Sequence, residues 1–147
     1  MNFTAAMRVG SLEILGALAA FGYLAARLQP GWAAVQPKAL SVSLRVLKTP
    51  LAHTAGRDLA VTVSEGKPCS MGRSGQNDVE LTDPEVSRRH ARLDLVRGVL
   101  YLTDEGSSNG TFLNGKSLGN ESIELRPGDD IDVGNTRITV SGMEPVR

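Results

Sequence analysis

At 147 residues the chain has room for one ordinary domain and an appendage, and its sixteen Lys and Arg balance sixteen Asp and Glu. That balance hides an asymmetry. Residues 1–56 carry five basic residues against one acid, a net +4, so residues 57–147 carry eleven against fifteen, a net −4. A net acidic globular part argues against nucleic-acid binding, which takes a basic face, and the lone Cys69 excludes an intramolecular disulfide or a cysteine-rich zinc site.

The first segment differs in kind from the rest. From Val9 to Ala26 the sequence is apolar or small except for Ser11 and Glu13, with Arg8 and Arg27 at its flanks. Eighteen helical residues span about 27 Å, close to a hydrocarbon core of about 30 Å, so residues 1–28 are expected to form a single transmembrane anchor helix. Pro30 and Gly31 stop it, and Tyr23 and Trp32 stand where interfacial aromatic residues belong. A cleaved leader ending near Ala17-Leu18-Ala19 and an interfacial or partner-bound helix are the competing readings. The first has too short an apolar run, and the second lacks a charged face. Small residues four apart, Gly16 with Ala20 and Gly22 with Ala26, would let another helix approach. Basic residues gather after the span, at Arg27, Lys38, Arg45 and Lys48, which places the carboxyl-terminal part in the cytoplasm. Residues 29–39, with two prolines and a glycine, read as a linker.

From Leu40 the hydrophobic period becomes two. Leu40, Val42, Leu44 and Val46 alternate with Ser41, Ser43 and Arg45, as in a strand with one buried face. Further strands are expected at 59–63, 68–71, 79–81, 90–96, 99–103, 111–113, 116–118, 122–125, 130–133 and 136–141. Arg97-Gly98 and Asn114-Gly115 are tight-turn dipeptides between neighbouring strands. Ten or eleven short strands with no helical pattern predict an all-β, antiparallel β-sandwich over residues 40–147.

Three polar loops interrupt the strands and would meet at one edge: Gly72-Arg73-Ser74, Ser87-Arg88-Arg89-His90 and Ser107-Ser108-Asn109-Gly110. The guanidinium of Arg73 can meet two oxygens of a phosphomonoester through parallel charge-assisted hydrogen bonds. Ser87 offers a hydroxyl donor. Arg88 and Arg89 point oppositely if the segment is extended, so only one of them faces a ligand. Taken singly, Arg73 is an ordinary loop charge, Ser87 a turn residue, and Asn109-Gly110 a second hairpin turn.

Together, and in this order, Gly72-Arg73, Ser87-x-x-His90 and Asn109-Gly110 resemble the signature of the forkhead-associated (FHA) family. The likeness covers residues 41–142 and extends to Leu125-x-Pro127-Gly128-Asp129-x-Ile131-x-x-Gly134. The resemblance implies a β-sandwich that binds phosphothreonine peptides and performs no catalysis. It assigns the peptide contacts to Arg73, Ser87, Arg88, Ser108 and Asn109, the last holding the peptide backbone through its amide. It gives Gly72, His90 and Gly110 the support of the loops, with Ser74 as a small loop residue.

Ser87 and His90 lie close in sequence, but no acid at the right station and no nucleophile turn accompanies them, so a hydrolase is not indicated. The acids Asp129, Asp130 and Asp132 follow Pro127-Gly128 without calcium-loop spacing and read as turn chemistry. No metal or cofactor is called for, and His53 reads as an exposed loop residue. Two functions fit. One is a membrane-tethered reader of a phosphothreonine-containing protein, either a Ser/Thr kinase or its substrate; the other is a phosphorylation-independent scaffold of a membrane assembly. The anchor is checked by alkaline carbonate extraction: the full-length chain should stay with membranes, a fragment beginning near residue 38 should be soluble, and release of the full-length chain would refute the span.

Overall fold

The computed structural model describes residues 36–51 and 54–146, and one compact unit begins at Gln36. The expected membrane span, most of the linker and His53 lie outside the described residues. Among those residues no helix is long and apolar enough to cross a membrane.

Eleven strands form two sheets. They are β1 (Ala39–Lys48), β2 (Asp58–Ser64), β3 (Cys69–Gly72), β4 (Val79–Glu80), β5 (Ala91–Val96), β6 (Val99–Asp104), β7 (Thr111–Leu113), β8 (Lys116–Ser117), β9 (Ser122–Glu124), β10 (Asp130–Val133) and β11 (Thr136–Pro145). The first sheet has the order β2-β1-β11-β10-β7-β8 and the second β4-β3-β5-β6-β9. The inward residues of both are the apolar half of each alternation. Leu40, Val42, Leu44 and Val46 of β1, Leu93 and Leu95 of β5, Leu100 and Leu102 of β6, and Ile138 and Val140 of β11 are buried. Each such side chain contributes about 1.5–3 kcal/mol by leaving water, which is why the period-two pattern dictates which face turns in.

Hairpin turns fall where the dipeptides predicted. Arg97 (φ 51°) and Gly98 (φ 76°) join Val96 to Val99, and Asn114 (φ 50°) with Gly115 (φ 82°) joins Leu113 to Lys116. Both residues of such a turn need positive φ, which Asn and Gly tolerate. The Asp129 carboxylate accepts from the Asn114 side-chain amide and from the Arg126 N–H, so it fastens two turns. Asp132 pairs with Arg137 across the β10–β11 ladder.

Three expectations are corrected. The sheets are not wholly antiparallel: β3 and β4 are parallel, with Met71 opposite Val79. The loop after Gly72 bends back on itself, Ser70 donating from both N–H and hydroxyl to Asp78, so the chain re-enters beside β3 in the same direction. β11 runs on to Pro145 instead of ending at Ser141, because β1 continues to pair with it as far as Leu40 opposite Pro145. A shift in register between Ser43 and Leu44 absorbs one extra residue of β11. Finally, β5 begins at Ala91, and His90 belongs to the loop before it.

One buried acid fixes the loop end of the sandwich. Asp83, fully buried, accepts from the Glu85 N–H (3.0 Å), the Asn135 N–H (2.8 Å) and the Thr136 hydroxyl (2.8 Å). It thereby ties the loop between β4 and β5 to the β10–β11 turn. Asp83→Ala strands all three donors, at about 1–3 kcal/mol for each one left unsatisfied, so urea denaturation should show a loss of at least about 3 kcal/mol. A loss below about 1 kcal/mol would mean that water replaces the carboxylate.

Candidate functional site

The three polar loops do converge, and backbone hydrogen bonds stitch them together. The Arg73 N–H donates to the Ser87 carbonyl (2.9 Å) and the Ser74 N–H to the Arg88 carbonyl (3.2 Å), so the first loop lies along the second. Gly72 is required by that approach: a Cβ there would fall on the carbonyl oxygen of Arg88, well inside van der Waals contact. The Asn77 amide completes the seam by donating to the carbonyls of Ser74 and Arg88, at 2.7 Å each.

The second loop is joined to the third through Ser87 and His90. The Ser87 Oγ accepts the N–H of Ser108 (3.1 Å), which leaves its own proton free to donate outward. His90 is fully buried; its Nδ1 accepts from the Ser87 N–H (3.1 Å) and its Nε2 lies 3.0 Å from the Gly110 carbonyl oxygen. A nitrogen facing an N–H must accept and one facing a carbonyl must donate, so the imidazole is neutral with its proton on Nε2. Gly110 adopts φ 80°, a conformation open to glycine, and its N–H donates to the Ser107 hydroxyl.

Asp104 holds the third loop from below. It accepts from the Ser107 N–H (2.9 Å) and hydroxyl (2.6 Å) and from the Thr111 hydroxyl (2.6 Å). Burial works to raise its pKa, and the donors of Ser107 and Thr111 outweigh it, leaving the carboxyl below the usual range. A lowered folded value means that this bracing is complete above the ordinary carboxylate range and is lost only as pH falls through the lowered one.

Arg73 and Arg88 are exposed on the rim, and neither makes an ion pair among the described residues. Arg73 spends its Nε on the Val86 carbonyl (3.1 Å), and no hydrogen bond engages its two terminal nitrogens among the described residues. Arg89 differs: it is held in a two-pronged pair by Glu105. Asn109 is no hairpin turn. Its amide donates to the carbonyl of Glu85 (2.8 Å) and to Glu85 Oε2 (3.0 Å), and because both partners only accept, the amide nitrogen must face them. Ser108 is exposed beside it. Cys69 plays no part: it is buried, and desolvation, aided by Asp78, pushes its thiol up to about 11.

Sequence reasoning missed Asn77, Asp83, Glu85 and Asp104. Asn77, Asp83 and Glu85 act on partners further along the chain, at Arg88, at Asn135 and Thr136, and at Asn109, which no local pattern marks. Asp104 acts locally on Ser107 and Thr111, and its Asp-x-x-Ser spacing is the signal that could have found it.

Residues 69–134 match the FHA domain family. Over 69 residues the chain is 39% identical to the glycogen accumulation regulator GarA of Mycolicibacterium smegmatis, covering 47% of this chain and 42% of that protein. It is 35% identical over 78 residues to the FHA domain-containing protein FhaB of Mycobacterium tuberculosis, covering 53% and 49%. The match thus spans less than half the length of these curated relatives. Among solved structures, one from a structural and functional analysis of phosphothreonine-dependent FHA domain interactions is similar with a TM-score of 0.58 at 30% identity, covering 72% of this chain and 99% of that one. The kinase-interacting FHA domain of the kinase associated protein phosphatase KAPP of Arabidopsis has a TM-score of 0.61 at 29% identity, covering 74% and 98%. With the Gly-Arg, Ser-x-x-His and Asn-Gly loops joined at one end of an eleven-strand sandwich and a structural relative covered almost end to end, the chain belongs to the FHA domain family.

Proposed function

We propose that the domain binds phosphothreonine in a partner protein, either a Ser/Thr kinase or a kinase substrate, and that residues 9–26 tether it to the cytoplasmic face of a membrane. The carrying observation is the rim formed where the joined loops expose Arg73 and Arg88, neither of them in an ion pair among the described residues, and where the Ser87 hydroxyl, which accepts the Ser108 N–H, keeps its proton to donate. A phosphothreonine side chain brings about −1.5 to −2 charges at pH 7 and three acceptor oxygens, which is what two guanidiniums and a hydroxyl can satisfy. Because the Arg73 Nε is already fixed on Val86, little side-chain freedom remains to be lost on binding. Ser108 lies next to Ser87, and Asn109 keeps its carbonyl oxygen available for a peptide N–H. The reading is supported by the relative studied for phosphothreonine-dependent interactions. Tethering rests on the apolar run Val9–Ala26 and on the basic residues that follow it.

A phosphothreonine peptide library with unphosphorylated controls, titrated against the full-length chain in non-ionic detergent, tests this. Arg73→Ala should cost about 2–5 kcal/mol of binding, at least roughly thirty-fold, and about 1 kcal/mol or less of stability, since only the Val86 bond is lost. Arg73→Lys should recover part of the affinity, keeping the charge without the planar fork, and Ser87→Ala should fall between. Phosphoserine peptides lack one methyl group, worth on the order of 1 kcal/mol if buried, and should bind roughly five-fold more weakly. If no peptide in a diverse library binds, or Arg73→Ala binds as well as the wild type, the phosphate reading fails and the phosphorylation-independent scaffold replaces it.

A further inference from the structure

A carboxylate stands against Asn109, the residue assigned to the backbone of the bound peptide. Glu85 lies two residues before Ser87 on the same loop, exposed, and its main chain is held on three sides. Its N–H donates to buried Asp83 and its carbonyl accepts from Asn109. Its backbone also presses so closely on Gly134 that a Cβ there would come within 2.9 Å of the Glu85 carbonyl carbon. The side chain then folds onto the same amide, with Oε2 3.0 Å from the Asn109 nitrogen. Both acceptors that Asn109 faces therefore belong to Glu85, one from its main chain and one from its carboxylate.

This has a direct effect on peptide binding. The Asn109 oxygen can accept a peptide N–H as it stands, but the amide can donate to a peptide carbonyl only by releasing one of its two bonds to Glu85. The main-chain bond joins two loops, whereas the carboxylate is exposed and free to swing, so the carboxylate is the one released. A carboxylate that has lost its donor is repelled by an acidic peptide residue and stabilised by a basic one. Arg73 and Arg88 by themselves would favour acidic peptides, so the two influences have opposite signs and the experiment can separate them.

Building on the phosphothreonine reading, we propose that Glu85 makes the site select peptides with a Lys or Arg at one fixed position relative to the phosphothreonine. In the complex Glu85 exchanges its contact with Asn109 for that cation.

The test is a positional scan. Each residue flanking the phosphothreonine of one binding peptide is replaced in turn by Lys, Ala or Glu, and the set is titrated against the full-length chain in non-ionic detergent. At one position Lys should bind roughly two- to five-fold more tightly than Ala, and Glu more weakly than Ala, the range expected of an exposed ion pair. Added salt should shrink the difference. Glu85→Gln, which keeps the shape and an acceptor for Asn109, should abolish the preference at that position, and Glu85→Lys should reverse it. Phosphothreonine-dependent binding with no position favouring Lys would overturn the assignment to Glu85 while leaving the phosphate reading in place, as would a Lys preference that survives in Glu85→Gln. Absence of any phosphorylation-dependent binding would instead overturn the phosphate reading, and this inference with it.

Discussion

His90 spends each of its hydrogen-bonding groups on a different neighbour. Its main-chain N–H donates to Met71 at the end of β3, and its carbonyl accepts from Glu105 at the start of the third loop. Its ring accepts from Ser87 and donates to Gly110. One buried residue thus locks the last residues of β3, the Ser87 loop and the Asn109 loop into a single register. Any substitution that removes the ring leaves the half-buried Ser87 N–H and Gly110 carbonyl without the partner that joined them, and such orphaned groups are costly to the extent that water cannot reach them. The positions of Arg73, Ser87 and Asn109 follow from that lock, and so does the neutrality of the ring. A proton on Nδ1 would point at the proton of Ser87.

Around this lock, charge is distributed with some economy. The arginines that carry structure are paired: Arg89 with Glu105, Arg92 with Asp94, Arg137 with Asp132. Those on the rim make no ion pair among the described residues, so the domain, net acidic as a whole, still offers positive charge at one end. Exposed pairs of this kind contribute little to stability. Their effect here is to occupy the other arginines, so that under the proposed function Arg73 and Arg88 are the rim groups that would meet a dianion first.

Much of this was legible in the sequence because local chemistry and global pattern agreed. β1 declared itself by alternation, and the turns at Arg97-Gly98 and Asn114-Gly115 by the need for positive φ. The loops declared themselves as polar clusters between apolar runs. What stayed hidden depends on partners far along the chain. The last four residues of β11, Gly142–Pro145, look like an ordinary tail until β1 is laid beside them. The parallel pairing of β3 and β4 depends on Asp78 closing a loop onto Ser70. Asp83 and Glu85 flank a proline in what reads as an unremarkable turn, yet one is the buried hub of two loops and the other occupies the amide of Asn109. Of the two Asn-Gly steps, Asn114-Gly115 was legible as the turn, whereas local chemistry left Asn109 open between turn and loop, and its bridge to Glu85 becomes visible only when the two loops are brought together.

The strands also set the direction in which the domain bears load. β5 leaves His90 at the loop end and reaches the far end at Val96, where Gln36 and Pro37 lie against Gly98. There too the Val146 N–H meets the carbonyl of Ala39. The chain therefore enters and leaves at the end opposite the loops, about six residues, or roughly 20 Å, away. Tension between an entry at Gln36 and a ligand held at the loops runs along the strands, while the ladder bonds of β1 to β2 and β11 lie across it. Such a pull loads those bonds together in shear instead of opening them one at a time, so the sandwich should resist tension along its strands better than tension across them.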